Sequence, residues 1–199
     1  MTSTAVLRGE RVVLEPLRVE HAAELVDVLS DAALYRYTGG SPPGRAELEA
    51  RYERQVAGSG DPTEEWHNWV VRLGDDGPAT GYVQATVGPD PATAELAWVV
   101  GTRWQGRGLA REAAAAVLDH LLASGVGRVV AHVHPDHVAS QGVAAALGLA
   151  PTEVVVDGEV EWVLEAHRGA RPSAPAGQPV ATGRVAPLTG VHPVNRGEQ

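Results

Sequence analysis

Residues 95–110 read ELAWVVGTRWQGRGLA. An apolar, strand-like run passes through a glycine-bearing turn into the start of a long helix. At such a junction several backbone N–H groups have no intrahelical partner and lie at the positive end of the helix dipole. That arrangement receives phosphate oxygens. Gly106 and Gly108 carry no Cβ, so a diphosphate can approach the backbone closely, and Arg103, Arg107 and Arg111 can add charge-assisted contacts. The full G-x-G-x-x-G fingerprint is missing, because Ala110 and Arg111 follow Gly108, and there is no Walker lysine. Dinucleotide and nucleoside-triphosphate chemistry therefore fit less well than another diphosphate carrier.

A second chemical pattern lies downstream. His132-Val133-His134-Pro135-Asp136-His137 is a literal H-x-H-x-D-H, which resembles the metal signature of metallo-β-lactamase-like hydrolases. Its donors would suit zinc. In that superfamily, however, the motif comes early and long segments after it supply further ligands. Here the chain soon runs into a Pro/Gly-rich end, and the extra candidates His167 and His192 sit at or within it. A zinc hydrolase is the lesser alternative, and no metal site is expected.

These residues need a scaffold, and periodicity supplies one. Arg11–Glu15 reads as a strand stopped by Pro16. Glu20–Leu29 carries Ala22, Leu25, Val26 and Leu29 at helical spacing. Ser41-Pro42-Pro43 opens a second helix running to about Val56. Trp66–Leu73 and Thr80–Val87 flank the hairpin signal Asp75-Asp76-Gly77, and the turn Gly88-Pro89-Asp90-Pro91 leads to a strand over Glu95–Val100. Leu109–Leu122 is a helix with two i,i+4 stripes, Leu109/Ala113/Val117/Leu121 and Ala110/Ala114/Leu118/Leu122. A strand over Arg128–His134 and a short helix over Val138–Leu147, closed by Gly148, follow. Thr152–Val156 and Glu159–Glu165 form a final hairpin around Asp157-Gly158. The order β-α-α-β-β-β-α-β-α-β-β predicts an α+β fold built on a mixed sheet with helices on both faces. The expected division is a domain over 1–167 and a tail over 168–199, flexible or a strap. As a strap, its Val180, Val185, Leu188, Val191 and Val194 would dock on the domain or on a second copy, making a homodimer.

The chain of 199 residues carries 25 acidic and 16 basic side chains, for a net charge of -9. Every basic residue among the sixteen is arginine. The balance argues against nucleic acid or anionic membrane as partner and leaves room for a cationic one. With no cysteine, disulfides, thiolate metal sites and cysteine nucleophiles are ruled out. No apolar run approaches the roughly 18 residues that span a bilayer, and no signal peptide is evident, so a cytoplasmic protein is expected.

Gln105-Gly106-Arg107-Gly108-Leu109-Ala110 resembles the Q/R-x-x-G-x-G/A signature of the GNAT N-acetyltransferases, and the element order resembles theirs over residues 7–165. The opening, Leu7 to Leu17 (LRGERVVLEPL), is similar to the RimJ/RimL-like branch. The resemblance implies an acetyl-CoA-dependent N-acetyltransferase. The diphosphate of acetyl-CoA would lie on the amides of Gln105, Gly106, Arg107, Gly108, Leu109 and Ala110, with Arg111 beside them. Backbone groups of Trp98, Val99 and Val100 would pair with the pantetheine arm where the strand splays from its neighbour. A main-chain N–H near Val99 would polarise the acetyl carbonyl. The amine would attack directly in a ternary complex.

The resemblance also suggests which side chains act. Glu95 lies where several members carry a catalytic glutamate. His132 lies where some protein-acetylating members place one, and an imidazole already titrates near neutrality. In the second family motif His137 stands in place of an asparagine that helps hold pantetheine, and Leu149 in place of a phenylalanine. Ser140 would hydrogen-bond the departing thiolate, because the usual acid tyrosine is replaced by Ala144. The departures at His137 and Ala144 keep a non-catalytic acyl-CoA-binding domain open as the main alternative. The acceptor pocket is expected between the first two helices, the loop Tyr35–Gly40 and the final hairpin. Its aromatic wall would be Tyr35, Tyr37, Trp66, Trp69 and Trp162, beside Glu64 and Glu65. It would take a small-molecule amine, such as an aminoglycoside or polyamine, or a peptide N-terminus.

Overall fold

The alternation of apolar and polar residues builds one eight-stranded sheet, described in a computed structural model over residues 5–88 and 93–166. The strands are β1 (Leu7–Arg8), β2 (Val12–Pro16), β3 (Glu65–Leu73), β4 (Ala79–Val87), β5 (Thr93–Val100), β6 (Arg128–Val133), β7 (Ala150–Val156) and β8 (Glu159–Glu165). The helices are α1 (Ala22–Val28), α2 (Arg45–Ala57), α3 (Leu109–Ala123) and α4 (Val138–Ala146). The sheet order is β1-β2-β3-β4-β5-β6-β8-β7. Every neighbouring pair is antiparallel except β5 and β6.

The expected mixed sheet with helices on both faces is present. α3 and α4 cover one face through Leu109, Val117, Leu118, Leu121 and Leu147, packed on Val12, Trp69, Val83, Leu96 and Val129. Each fully buried aliphatic side chain there contributes roughly 1.5–3 kcal/mol. α1 and α2 cover the other face through Leu25, Val28, Leu48 and Tyr52, on Val70 and Tyr82.

Differences from the sequence reading are local. The two-residue β1 was not expected; it is too short for alternation to show. The first helix begins at Ala22 because a 3-10 turn, Val19–His21, precedes it, and the second begins at Arg45 with Gly44 as its N-cap. Pro42 and Pro43 therefore precede that helix instead of opening it. The 168–199 tail, its candidate docking residues and most of the Gly88–Pro91 turn lie outside the described residues. No described helix is long and apolar enough to cross a membrane.

One close approach fixes where β5 lies. Gly81 in β4 pairs with Val100, and a Cβ at Gly81 would overlap the Val99 carbonyl oxygen. Gly81→Ala is expected to force β5 outward and to cost about 1–3 kcal/mol. That loss should read as a fall of several degrees in melting temperature. A melting temperature equal to that of the unaltered chain would show that β5 accommodates the methyl group.

Candidate active site

Among the described residues β5 and β6 stay together for three pairs, Thr93↔Arg128, Ala94↔Val129 and Glu95↔Val130. Beyond Glu95 the two strands part, leaving a wedge open at their C-terminal ends. The Gly101 N–H donates to the Thr80 carbonyl at 2.8 Å. Hydrogen-bonded and non-hydrogen-bonded pairs alternate along an antiparallel ladder. Val99 therefore faces β4, whereas Trp98 and Val100 turn their backbone groups into the wedge. This corrects one expectation: the Val99 amide is committed to β4, and the edge-facing amides are those of Trp98 and Val100. The Val100 carbonyl is itself engaged, accepting from Gln105 Nε2 at 3.0 Å.

At the wider end of the wedge stands the turn into α3. Gly106 and Gly108 have φ of 74° and 77°, the left-handed region that favours glycine. Gly108 is the N-cap of α3 and makes no side-chain cap bond. The first bond of the helix is Glu112 N–H to the Gly108 carbonyl, 3.1 Å. Among the described residues, the amides of Gly106, Arg107, Gly108, Leu109, Ala110 and Arg111 have no backbone acceptor, and Gly106, Arg107 and Gly108 are exposed. Gln105 is the exception and a second correction. Its amide donates to the Thr102 carbonyl at 3.2 Å, so its backbone is spent on the turn and its side chain on Val100.

Side chains missed in the sequence reading hold this turn in shape. Glu112, in the first turn of α3, accepts the backbone amides of Arg11 and Val12. It also pairs with the Arg11 guanidinium at 2.8 Å. Burial pushes the Glu112 carboxyl up, but these donors outweigh it and hold it below the usual carboxylate range. Arg11 in turn donates to the Arg107 carbonyl at 3.0 Å. Arg103 and Arg107, which the sequence offered as diphosphate contacts, have their guanidiniums 5.0 and 5.2 Å from the Trp104 ring centre, at cation–π distance. The available signal was an acid in the first turn of a helix, which sequence alone could not tie to β2.

The two candidate bases, Glu95 and His132, prove to be in contact. His132 Nδ1 lies 3.2 Å from Glu95 Oε1, with both side chains about four-fifths buried (18% and 20% exposed). A carboxylate only accepts, so Nδ1 carries the proton and neutral His132 presents a lone pair at Nε2. The hydrogen bond to Glu95 raises the His132 pKa above its ordinary value despite the opposing effect of burial, and Glu159 and Glu161 add to the rise. Ala94 and Leu96 lie in the α3-side core, as do Val129 and Ala131. The intervening Glu95 and His132 therefore face the α1/α2 side.

The same period sorts the aromatic wall. Trp69 is fully buried on the α3 side, donating its indole N–H to the Ala5 carbonyl at 2.8 Å. Trp162 also packs on that side, and Tyr35 is buried with its hydroxyl on the Leu29 carbonyl. None of the three shares the dyad's open surface, which corrects their assignment to an acceptor wall. Trp66 alternates onto the dyad's side, and Tyr37 reaches the connection between β6 and α4.

The H-x-H-x-D-H residues diverge. His132 is tied to Glu95; His134 Nδ1 accepts the Asp136 amide at 3.1 Å; His137 caps α4, its Nδ1 accepting the Ser140 amide at 3.4 Å. Burial lowers the His137 pKa. Among the described residues no group of three or more His, Asp or Glu could hold a metal ion. Ser140 is half-buried in the first turn of α4, near the mouth of the wedge, and Ala144 is wholly buried.

A sequence model of the acetyltransferase (GNAT) domain family matches residues 11–150. Among solved structures, RimJ of Mycobacterium smegmatis in complex with CoA-disulfide superposes with a TM-score of 0.68 at 20% identity, over 82% of this chain and 88% of that one. RimL, a ribosomal L7/L12 alpha-N-protein acetyltransferase in complex with coenzyme A, gives 0.67 at 14% identity, over 81% and 98%. A GNAT-family acetyltransferase from Bacillus anthracis gives 0.66 at 17% identity, over 81% and 98%.

Proposed function

The chain belongs to the GNAT acetyltransferase family and is an acetyl-CoA-dependent N-acetyltransferase, and on that premise we propose that it acetylates a primary amine by direct attack in a ternary complex, as a member of the RimJ/RimL-like branch. Acetyl-CoA supplies the activated acetyl group. The observation that supports the reading is the row of amides from Gly106 to Arg111 at the head of α3 that have no backbone acceptor among the described residues, opening on the exposed Gly106, Arg107 and Gly108 and set beside the wedge between β5 and β6. Those amides, the helix dipole and Arg111 fit a diphosphate. The Trp98 backbone and the Val100 amide, which face the wedge beyond the last β5–β6 pair, fit an extended amide-bearing arm.

Each residue then has a task. The amide of Trp98 or Val100 receives the negative charge that gathers on the acetyl oxygen. His132 Nε2 takes a proton from the incoming amine, directly or through a water, because an ammonium has no lone pair with which to attack. Glu95 orients the imidazole and stabilises its charged form. The Ser140 hydroxyl hydrogen-bonds the departing sulfur. The carboxylates of Glu95, Glu159 and Glu161 around His132 favour a cationic acceptor: a small-molecule amine or a peptide N-terminus, in the cytoplasm, the compartment that holds acetyl-CoA.

Free-thiol release from acetyl-CoA across a panel of amines and N-terminal peptides tests this. The expected result is amine-dependent release with at least one class. Tight acetyl-CoA binding with no release across the whole panel would overturn transfer to a primary amine and favour a site that only binds the acyl carrier.

A further inference from the structure

The segment between α1 and α2 ties the two arms of the wedge together. At its start, the Thr102 hydroxyl, just past the end of β5, donates to Asp31 Oδ2 at 2.6 Å. Asp31 also accepts the Ala33 amide at 2.9 Å, capping the 3-10 turn Ala32–Tyr35. Val28 packs against Gly101 so closely that a Cβ there would come 2.7 Å from Val28 Cγ1. Six residues on, the Tyr37 ring lies against the other arm. Its centre is 4.5 Å from that of His137 and 5.2 Å from that of His134, on the connection from β6 to α4. Arg36 stacks on the same ring at 5.4 Å. The segment then leaves through Gly39 and Gly40, with φ of 75° and 85°.

A tie anchored to the end of β5 and to the connection from β6 to α4 crosses the mouth of the gap between β5 and β6. We propose that Asp31–Tyr37 is a strap over the wedge, latched by Tyr37 on His134 and His137, and that Tyr37 is a positioning residue that keeps the thioester end of the carrier seated and shielded from water. The proposal rests on the acetyltransferase reading, because it is the seated thioester that the strap would cover. Its chemical consequence is a choice of nucleophile. With the strap latched, the amine attacks. With it loose, water attacks the same carbonyl carbon, the C–S bond breaks, and acetate and free thiol form without any amine.

Tyr37→Ala is expected to raise the KM for acetyl-CoA roughly tenfold, the scale of losing two aromatic contacts, and to raise the fraction of thiol release that needs no amine. Tyr37→Phe keeps the ring and should match the unaltered chain on both counts. Thr102→Val loosens the other end. Combined with Tyr37→Ala it should add little, since either change alone frees the strap. Unchanged KM and partition in Tyr37→Ala would overturn the strap, as would a Tyr37→Phe as impaired as the alanine variant, which would move the effect to the hydroxyl. Hydrogen exchange gives a readout that needs no turnover: acetyl-CoA should protect amides 31–40 in the unaltered chain and not in Tyr37→Ala. Equal protection in both would sink the latch even if no acceptor were found. Absence of turnover in the unaltered chain bears on the transferase reading alone.

Discussion

Gly108→Glu is expected to weaken acetyl-CoA binding by at least about 100-fold, or roughly 2.7 kcal/mol, while leaving the fold in place. Two effects add. Position 108 has a φ of 77°, where an L side chain costs about 1–2 kcal/mol; a turn that relaxes to escape that cost must be forced back before ligand can bind, and the cost then appears as lost affinity. A carboxylate there would also stand among the amides proposed to receive the diphosphate. Two unit charges about 4 Å apart repel by roughly 1 kcal/mol in water and about 4 kcal/mol at a protein surface, and the diphosphate carries more than one. The buried face of α3, from Leu109 to Leu121, is untouched, so the variant should still melt cooperatively. Gly108→Ala separates the two effects. It bears the backbone cost without the charge, and its methyl group would meet only Arg11 Nη2, at 3.4 Å. It should keep measurable affinity. Calorimetry with acetyl-CoA measures both variants; undiminished affinity in the glutamate variant would mean that the diphosphate does not rest on this turn.

That turn was legible in the sequence because its chemistry is backbone chemistry. A strand, two glycines and a helical stripe are local patterns, and α3 begins at the expected residue. The final hairpin was legible for the same reason: Asp157 and Gly158 both take positive φ, 51° and 86°, as a two-residue turn of this kind requires. Features that depend on register were not legible. Glu95 and His132 are 37 positions apart, and each could be named as a base from its own surroundings. Their pairing follows only from the parallel register Glu95↔Val130, which no local pattern encodes. The aromatic wall failed because helices cover both faces of the sheet. Alternation then places Trp66 and Trp69 on opposite faces without saying which face carries the dyad. Glu112 and Tyr37 act across long separations, on β2 and on the start of α4; Glu112 has no mark in a local reading, and Tyr37 stands out there only as an aromatic of the acceptor wall, not as a partner of His134 and His137.

The dyad carries the remaining large effect. His132→Ala is expected to lower kcat by about 10²- to 10⁴-fold, the usual worth of a positioned base, and to remove the limb on which activity rises with pH. The position of that limb follows from the geometry. His132 must be neutral to accept a proton, and its hydrogen bond to Glu95 favours the charged form. The limb should therefore lie above the ordinary imidazole value of about 6.5. Glu95→Gln removes the charge that stabilises the imidazolium, so the limb should move to lower pH, with a smaller loss of kcat than His132→Ala. Stability should follow the same sign. A pKa raised by folding stabilises the protein most below the unfolded value, and that gain fades as pH rises through the folded one. Glu95→Gln should thus lower the melting temperature more in mildly acidic than in alkaline buffer. If His132→Ala keeps the limb while Glu95→Gln abolishes turnover, the carboxylate is the base and the imidazole only its support. If neither variant alters the profile, water performs the proton transfer and the dyad serves the fold alone.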